Sequence, residues 1–217
     1  MFALYFAVLF AILEKKLLFD RKIAISIACA GLAFGMLSYA LVIAPLNSIE
    51  ACFMDNRGLL HVLFFGPVQE EIAKFACFIL AYIFIVRRSR LSNKELSEIK
   101  KGKSLVILGF YVGLTLALLK NIIDYNNLPL ETALLRTIVS WPVHMITIGI
   151  SVYGFNKYRI TRKAAVVLGL LLWAIAIHIV FNSLTILFQL IRSYFSLFFK
   201  FPQKTRKCFA NFTIKMN

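Results

Sequence analysis

Two adjacent carboxylates, Glu70 and Glu71, interrupt an apolar run that reads LLHVLFFGPVQEEIAKFACFILAYIFIV, and Lys74 follows one helical turn later. An acidic side chain at mid-bilayer costs roughly 2.5–3.5 kcal/mol on insertion scales, so function is the expected reason to keep such a pair. Two of the three histidines, His144 and His178, also fall inside apolar runs. A carboxylate that accepts a proton from water, with imidazole and amide groups that hold the water or an oxyanion, is the equipment of hydrolysis. The spacing groups these residues further. His178 and Asn182 lie i, i+4 on one helix face, as do Glu70 and Lys74, whereas Glu71 points about 100° away. Arg136, Ser140 and His144 follow one another at four-residue steps, with Pro142 kinking their helix. Gly66-Pro67 predicts a new helix with both glutamates in its first turn, where free backbone N–H groups favour carboxylates. The run LALLKNIIDY brings Lys120, Asn121 and Asp124 toward the outer surface.

Each feature also has an ordinary explanation. A lone intramembrane histidine can serve as a helix-to-helix hydrogen bond. Lys74 and Arg136 can merely neutralise the glutamates, and Lys120 is expected to snorkel outward. His61, near the outer interface, is read as incidental. The glutamate pair is hardest to explain this way, because no packing need calls for two acids side by side. Two histidines and a glutamate would also suit zinc with a water in the fourth position. No HExxH is present, so zinc would need three helices to converge, and the preferred reading has no metal and no organic cofactor.

The elements that carry these residues must cross a membrane. The chain has 217 residues, 60% of them hydrophobic and 16% charged, and its mean hydropathy is +0.80, outside the range of soluble domains. Apolar stretches recur at about 2–13, 23–46, 59–86, 104–123, 133–156 and 165–190, and a span needs about 20 residues. The expectation is an all-α, multi-pass bundle of about six to seven transmembrane helices embedded in lipid. Residues 1–190 form one domain, with the motifs in 66–190, and 191–217 form a basic tail. The stretch at 2–13 is short. It reaches a full span only by carrying Glu14, Lys15 and Lys16 at the interface, and as a signal peptide it lacks a basic start and a small-residue cleavage site. Cys29, Cys52, Cys77 and Cys208 show no CxxC spacing and read as small hydrophobes.

A formal charge of +15 would fit nucleic acid, but the basic residues sit in short loops, so nucleic acid is set aside as a partner. Loops 14–22, 87–103 and 157–163 hold four, seven and four Lys or Arg, while 47–58 holds one and 124–132 none. This puts the basic loops in the cytoplasm. The tail, with Arg192, Lys200, Lys204, Arg206, Lys207 and Lys215, breaks the alternation. Re-entry of 193–201, a non-spanning N-terminal segment or a broken last helix would each account for it. Counted along this topology, Glu70, His144 and His178 stand at similar depth in three helices, as one polar site within a bundle requires.

EEIAK at 70–74, LKN at 119–121, RTIVSWPVH at 136–144 and HIVFN at 178–182 resemble the intramembrane glutamate proteases of the CPBP superfamily. That group includes the type II CAAX prenyl endopeptidases, and the likeness is strongest to its PrsW-type branch. PrsW-like members commonly carry Glu-Asn where this chain has Lys120-Asn121. The resemblance implies that Glu70 and His144 hold and deprotonate a water that attacks a peptide carbonyl. His178 and Asn182 would stabilise the oxyanion, Glu71 would orient the base or the water, and Lys74, Asn121 and Arg136 would support the site. It further implies a membrane protein or peptide as substrate and residence in the cell membrane. A cytoplasmic CAAX terminus is disfavoured by the outward-opening site. Three alternatives remain open: a catalytically inactive CPBP-like binding or immunity protein, a zinc-dependent membrane protease, and a proton-coupled carrier. Carriers usually show repeated halves, and these halves differ.

Overall fold

The computed structural model describes residues 21–45, 60–88, 92–124 and 130–200. Among these residues the regular structure is entirely helical. The α-helices are α1 (Arg21–Ser38), α2 (Gly66–Arg88), α3 (Asn93–Ile99), α4 (Gly102–Asp124), α5 (Leu130–Thr161) and α6 (Ala164–Lys200), with π-helical turns at Tyr39–Ile43 and His61–Phe65. The expected segment at 2–13 and the tail beyond Lys200 lie outside the described residues. The chain divides into two compact units, one through Ile179 and one from Val180.

Among the described residues, four segments are long and apolar enough to cross a membrane: Ile23–Ile43, Gly102–Ile122, Ile138–Thr161 and Ala164–Phe188. The protein is therefore an integral membrane helix bundle. Helix α2 has the length of a span, 23 residues, but Glu70, Glu71 and Lys74 make it too polar for that group. Helix α6 runs unbroken to Lys200. In the second unit, Thr185 Oγ1 donates to the Phe181 carbonyl at 2.9 Å, returning its polar group to its own helix.

In the first unit α4 is the hub, packing on α1, α2 and α5. Its span is 61% buried, against 39% for α1 and 44% for α5. Glycines permit the approach. A Cβ on Gly31 would stand 2.4 Å from Tyr111 Cβ, and one on Gly35 2.6 Å from Thr115 Cβ, so a small-xxx-small pair seats α1 on α4. On the opposite side Gly109 and Gly113 receive α5, and a Cβ on Gly113 would lie 2.8 Å from both the His144 carbonyl oxygen and Ile148 Cγ2. That contact fixes His144 against α4. Away from the polar residues, Ile23 and Ile27, Phe78 and Ile85, Leu105 and Leu108, and Ile148 and Val152 make one apolar core from the four helices.

At the end of the bundle that carries the basic loops, the polar stretch after α2 folds into the short helix α3. Ser92 and Glu95 cap it reciprocally, and Ile99 is buried beneath it. Ser104 Oγ donates to the Glu98 carbonyl at 2.7 Å, and Arg159 of α5 donates to the Lys100 carbonyl at 2.9 Å. Helix α5 closes with Arg162 at φ 58°, its N–H donating to the Tyr158 carbonyl at 2.7 Å, a left-handed terminus that turns the chain into α6 within two residues.

The expected helix start at Pro67 is not what forms. Leu60 is already helical, and the π turn His61–Phe65 leads directly into α2, with the Gly66 N–H donating to the His61 carbonyl five residues back. Proline clashes with the carbonyl four residues before it in a regular α-helix, and a wider turn relieves that clash without ending the helix. Glu70 and Glu71 consequently stand inside a continuous helix. The positive charge that compensates them comes from side chains.

Candidate active site

Four helices deliver one polar cluster to the interior of the first unit. Helix α2 supplies Glu70, Glu71 and Lys74, α4 supplies Lys120, α5 supplies His144 and Thr147, and α6 supplies His178. All but Lys120 are buried, and Glu71, Lys74 and Thr147 completely so. Lys120, whose side chain is 23% exposed, forms the open edge. Convergence of Glu70, His144 and His178 agrees with their equal counted depth.

The ion pairing differs from the spacing argument. Lys74 pairs with Glu71, three residues back, and not with Glu70. The reason lies on α5: the same ammonium donates to Thr147 Oγ1 at 3.0 Å and stands 3.3 Å from His144 Nδ1, so its three hydrogens have three acceptors on that side. Glu70 instead pairs with Lys120 through Oε1. Lys120 therefore does not simply snorkel outward. Glu71 reaches His178 and Lys74.

These contacts determine where the imidazole hydrogens sit. Lys74 can only donate, so His144 Nδ1 accepts and its ring hydrogen is on Nε2. Glu71, ionised against Lys74, accepts at Oε1 from His178 Nδ1 at 2.7 Å, which directs His178 Nε2 toward Glu70. Glu70 Oε2 lies 3.8 Å from His178 Nε2 and 4.0 Å from His144 Nδ1 and has no hydrogen-bond partner. The two rings stand edge to face, centroids 4.9 Å apart. A carboxylate oxygen and two imidazole nitrogens thus face a common gap, too wide for direct hydrogen bonds.

A family model described as PrsW family intramembrane metalloprotease matches residues 22–202. The chain belongs to this family. No curated protein and no solved structure matches it. The match covers every helix of the cluster.

The PrsW family description implies a metal, and the donor set fits one by type. Single ligand atoms of Glu70, His144 and His178 all lie within 4.8 Å of one another, and one carboxylate with two imidazoles is a zinc-binding set. The hydrogen bond from His178 to Glu71 is also the kind that orients a metal-bound histidine.

Of the other residues singled out in the sequence, Asn121 follows Lys120 on α4 and is half-buried. Arg136 lies in α5, but its side chain falls outside the described residues. Asn182, half-buried, belongs to the second unit. Thr147 binds the cluster and also donates to the His144 carbonyl at 3.2 Å.

Proposed function

We propose that this PrsW family member hydrolyses a peptide bond of a membrane-associated protein with a water activated by Glu70 and histidine, without a metal ion. The observation that carries the reading is the buried gap between Glu70 Oε2, His144 Nδ1 and His178 Nε2, with the carboxylate oxygen lacking a partner. Separations of 3.8 and 4.0 Å leave Glu70 Oε2 without a direct hydrogen bond to either imidazole.

In this mechanism Glu70 Oε2 takes a proton as the water oxygen bonds to the carbonyl carbon, and the carbonyl π pair moves onto oxygen. His144 lines the gap, its Nδ1 accepting from Lys74. His178, held through Nδ1 by Glu71, receives the oxyanion, as the family resemblance implies. Asn182 shares that role on sequence spacing alone. The C–N bond then breaks, and the amine leaves with the proton Glu70 had taken. Arg136 and Asn121 support the site by the same family resemblance. The charge balance favours chemistry without a dication: Glu70 and Glu71 are matched by Lys74 and Lys120, leaving no net charge to bury. The loop charges favour a site open to the outer half of the cell membrane and a transmembrane or membrane-bound substrate.

A second reading is a divalent ion on Glu70, His144 and His178, favoured by the closeness of the ligand atoms and the family description. Bound there, the ion would polarise the carbonyl and acidify the water. The test compares peptides released from membranes by the intact protein, Glu70→Gln and His144→Ala. Cleavage lost in both variants while the protein stays folded is expected, and full activity in both would refute the hydrolytic site. Activity that survives exhaustive chelation supports the first reading, and stoichiometric zinc required for activity replaces it with the second.

A further inference from the structure

Lys120 is the one member of the cluster that comes from α4, and it is the residue that the sequence gives least reason to include. Its ammonium holds Glu70 Oε1, and the other oxygen of the same carboxylate faces His144 and His178. From the opposite side Lys74 engages His144 Nδ1 and Glu71. Two monovalent cations therefore stand against the same groups a dication would use. Two acids and two ammonium groups leave the centre neutral, whereas adding a divalent ion would leave two positive charges in a low-dielectric interior.

We infer that Lys120 is the built-in counter-cation of this centre: a positioning residue that anchors Glu70 by one oxygen, aims the other at the gap, and excludes divalent metal from it. The inference rests on the metal-free reading proposed above. Lys120 acts through Glu70. A neutral side chain at 120 frees Glu70 Oε1 and removes one positive charge, so metal affinity should rise as the hold on the carboxylate is lost. An arginine keeps the charge and the hydrogen bond, so it should preserve exclusion.

The experiment is a Co²⁺ titration of the full chain in detergent, read by the visible absorption of the bound ion, on the intact protein, Lys120→Met and Lys120→Arg. Folding of each is verified by monodispersity on size exclusion. Lys120→Met is expected to bind one Co²⁺ at least about tenfold more tightly than the intact protein, since one neighbouring positive charge is gone. Lys120→Arg should behave like the intact protein. Adding His144→Ala to Lys120→Met should abolish the absorption, which assigns the ion to this centre. Equal affinity of the intact protein and Lys120→Met, or stoichiometric metal in the intact protein as purified, would overturn the inference. Should Lys120→Met fail to fold, Lys120→Gln replaces it under the same criteria. Because metal binding is read without substrate, a failure here is separable from a failure of peptide hydrolysis, which the Glu70→Gln comparison reads.

Discussion

The chain contains the same local pair twice, a glutamate followed three residues later by a lysine, in two opposite settings. Glu71–Lys74 lies in α2 with both side chains fully buried, and Glu98–Lys101 lies where α3 ends, with side-chain exposures of 36% and 61%. The spacing is identical, yet only the first has further partners: His144, Thr147 and His178 surround it. An exposed pair is worth at most about 1 kcal/mol, because water competes for both charges. Breaking a buried pair leaves an unmatched charge and costs about 3–5 kcal/mol. Setting, not spacing, decides what an ion pair does in this protein.

The sharpest way to break the comparison is Lys74→Met, which strands Glu71 in the bundle. Destabilisation of about 3–5 kcal/mol is expected in detergent unfolding titrations. Changing Glu71→Gln together with Lys74→Met should recover most of that loss, since no buried charge then lacks its partner. A double variant as unstable as the single one would mean that shape, not charge, holds α2 in place.

Much of this centre was legible in the sequence. Glu70, Glu71, His144 and His178 were found because polar groups are costly in apolar helices, and counting residues placed three of them at one depth. The helical class followed from the apolar lengths, and the family match agrees with the resemblance carried by the four motifs. What could not be read was which lysine meets which glutamate. Spacing along α2 favours Glu70 with Lys74, but Thr147 and His144, presented by α5, draw Lys74 toward Glu71. Lys120 was expected to snorkel because it lies near the end of an apolar run. The missing information was the pairing of α4 with α2. Gly31-xxx-Gly35 and Gly109-xxx-Gly113 mark the faces α4 shares with α1 and α5, and neither marks its contact with α2. The continuity of α2 through Gly66-Pro67 depends on a π turn, which leaves no mark in residue type.

A smaller perturbation tests whether the buried lysine depends on its neutral partner. Thr147→Val keeps the shape of the side chain and removes the oxygen that accepts from Lys74 at 3.0 Å. The ammonium keeps Glu71 and His144 but loses one of three acceptors. A loss of about 1–3 kcal/mol is expected in the same unfolding titration, less than for Lys74→Met. An effect near zero would imply that water reaches Lys74.

The smallest expected effect belongs to the exposed copy. Lys101→Ala removes the partner of Glu98 at 2.6 Å, but both groups keep access to water and Glu98 remains solvated without it. Stability should change by less than about 0.5 kcal/mol, and by still less in high salt, where exposed charges are screened. The fold around this pair rests on other contacts. The Glu98 carbonyl accepts from Ser104 and the Lys100 carbonyl accepts from Arg159, and neither bond uses the Lys101 side chain. A loss above about 2 kcal/mol would place this copy in the class of the buried one and would make the setting-based distinction wrong for this molecule.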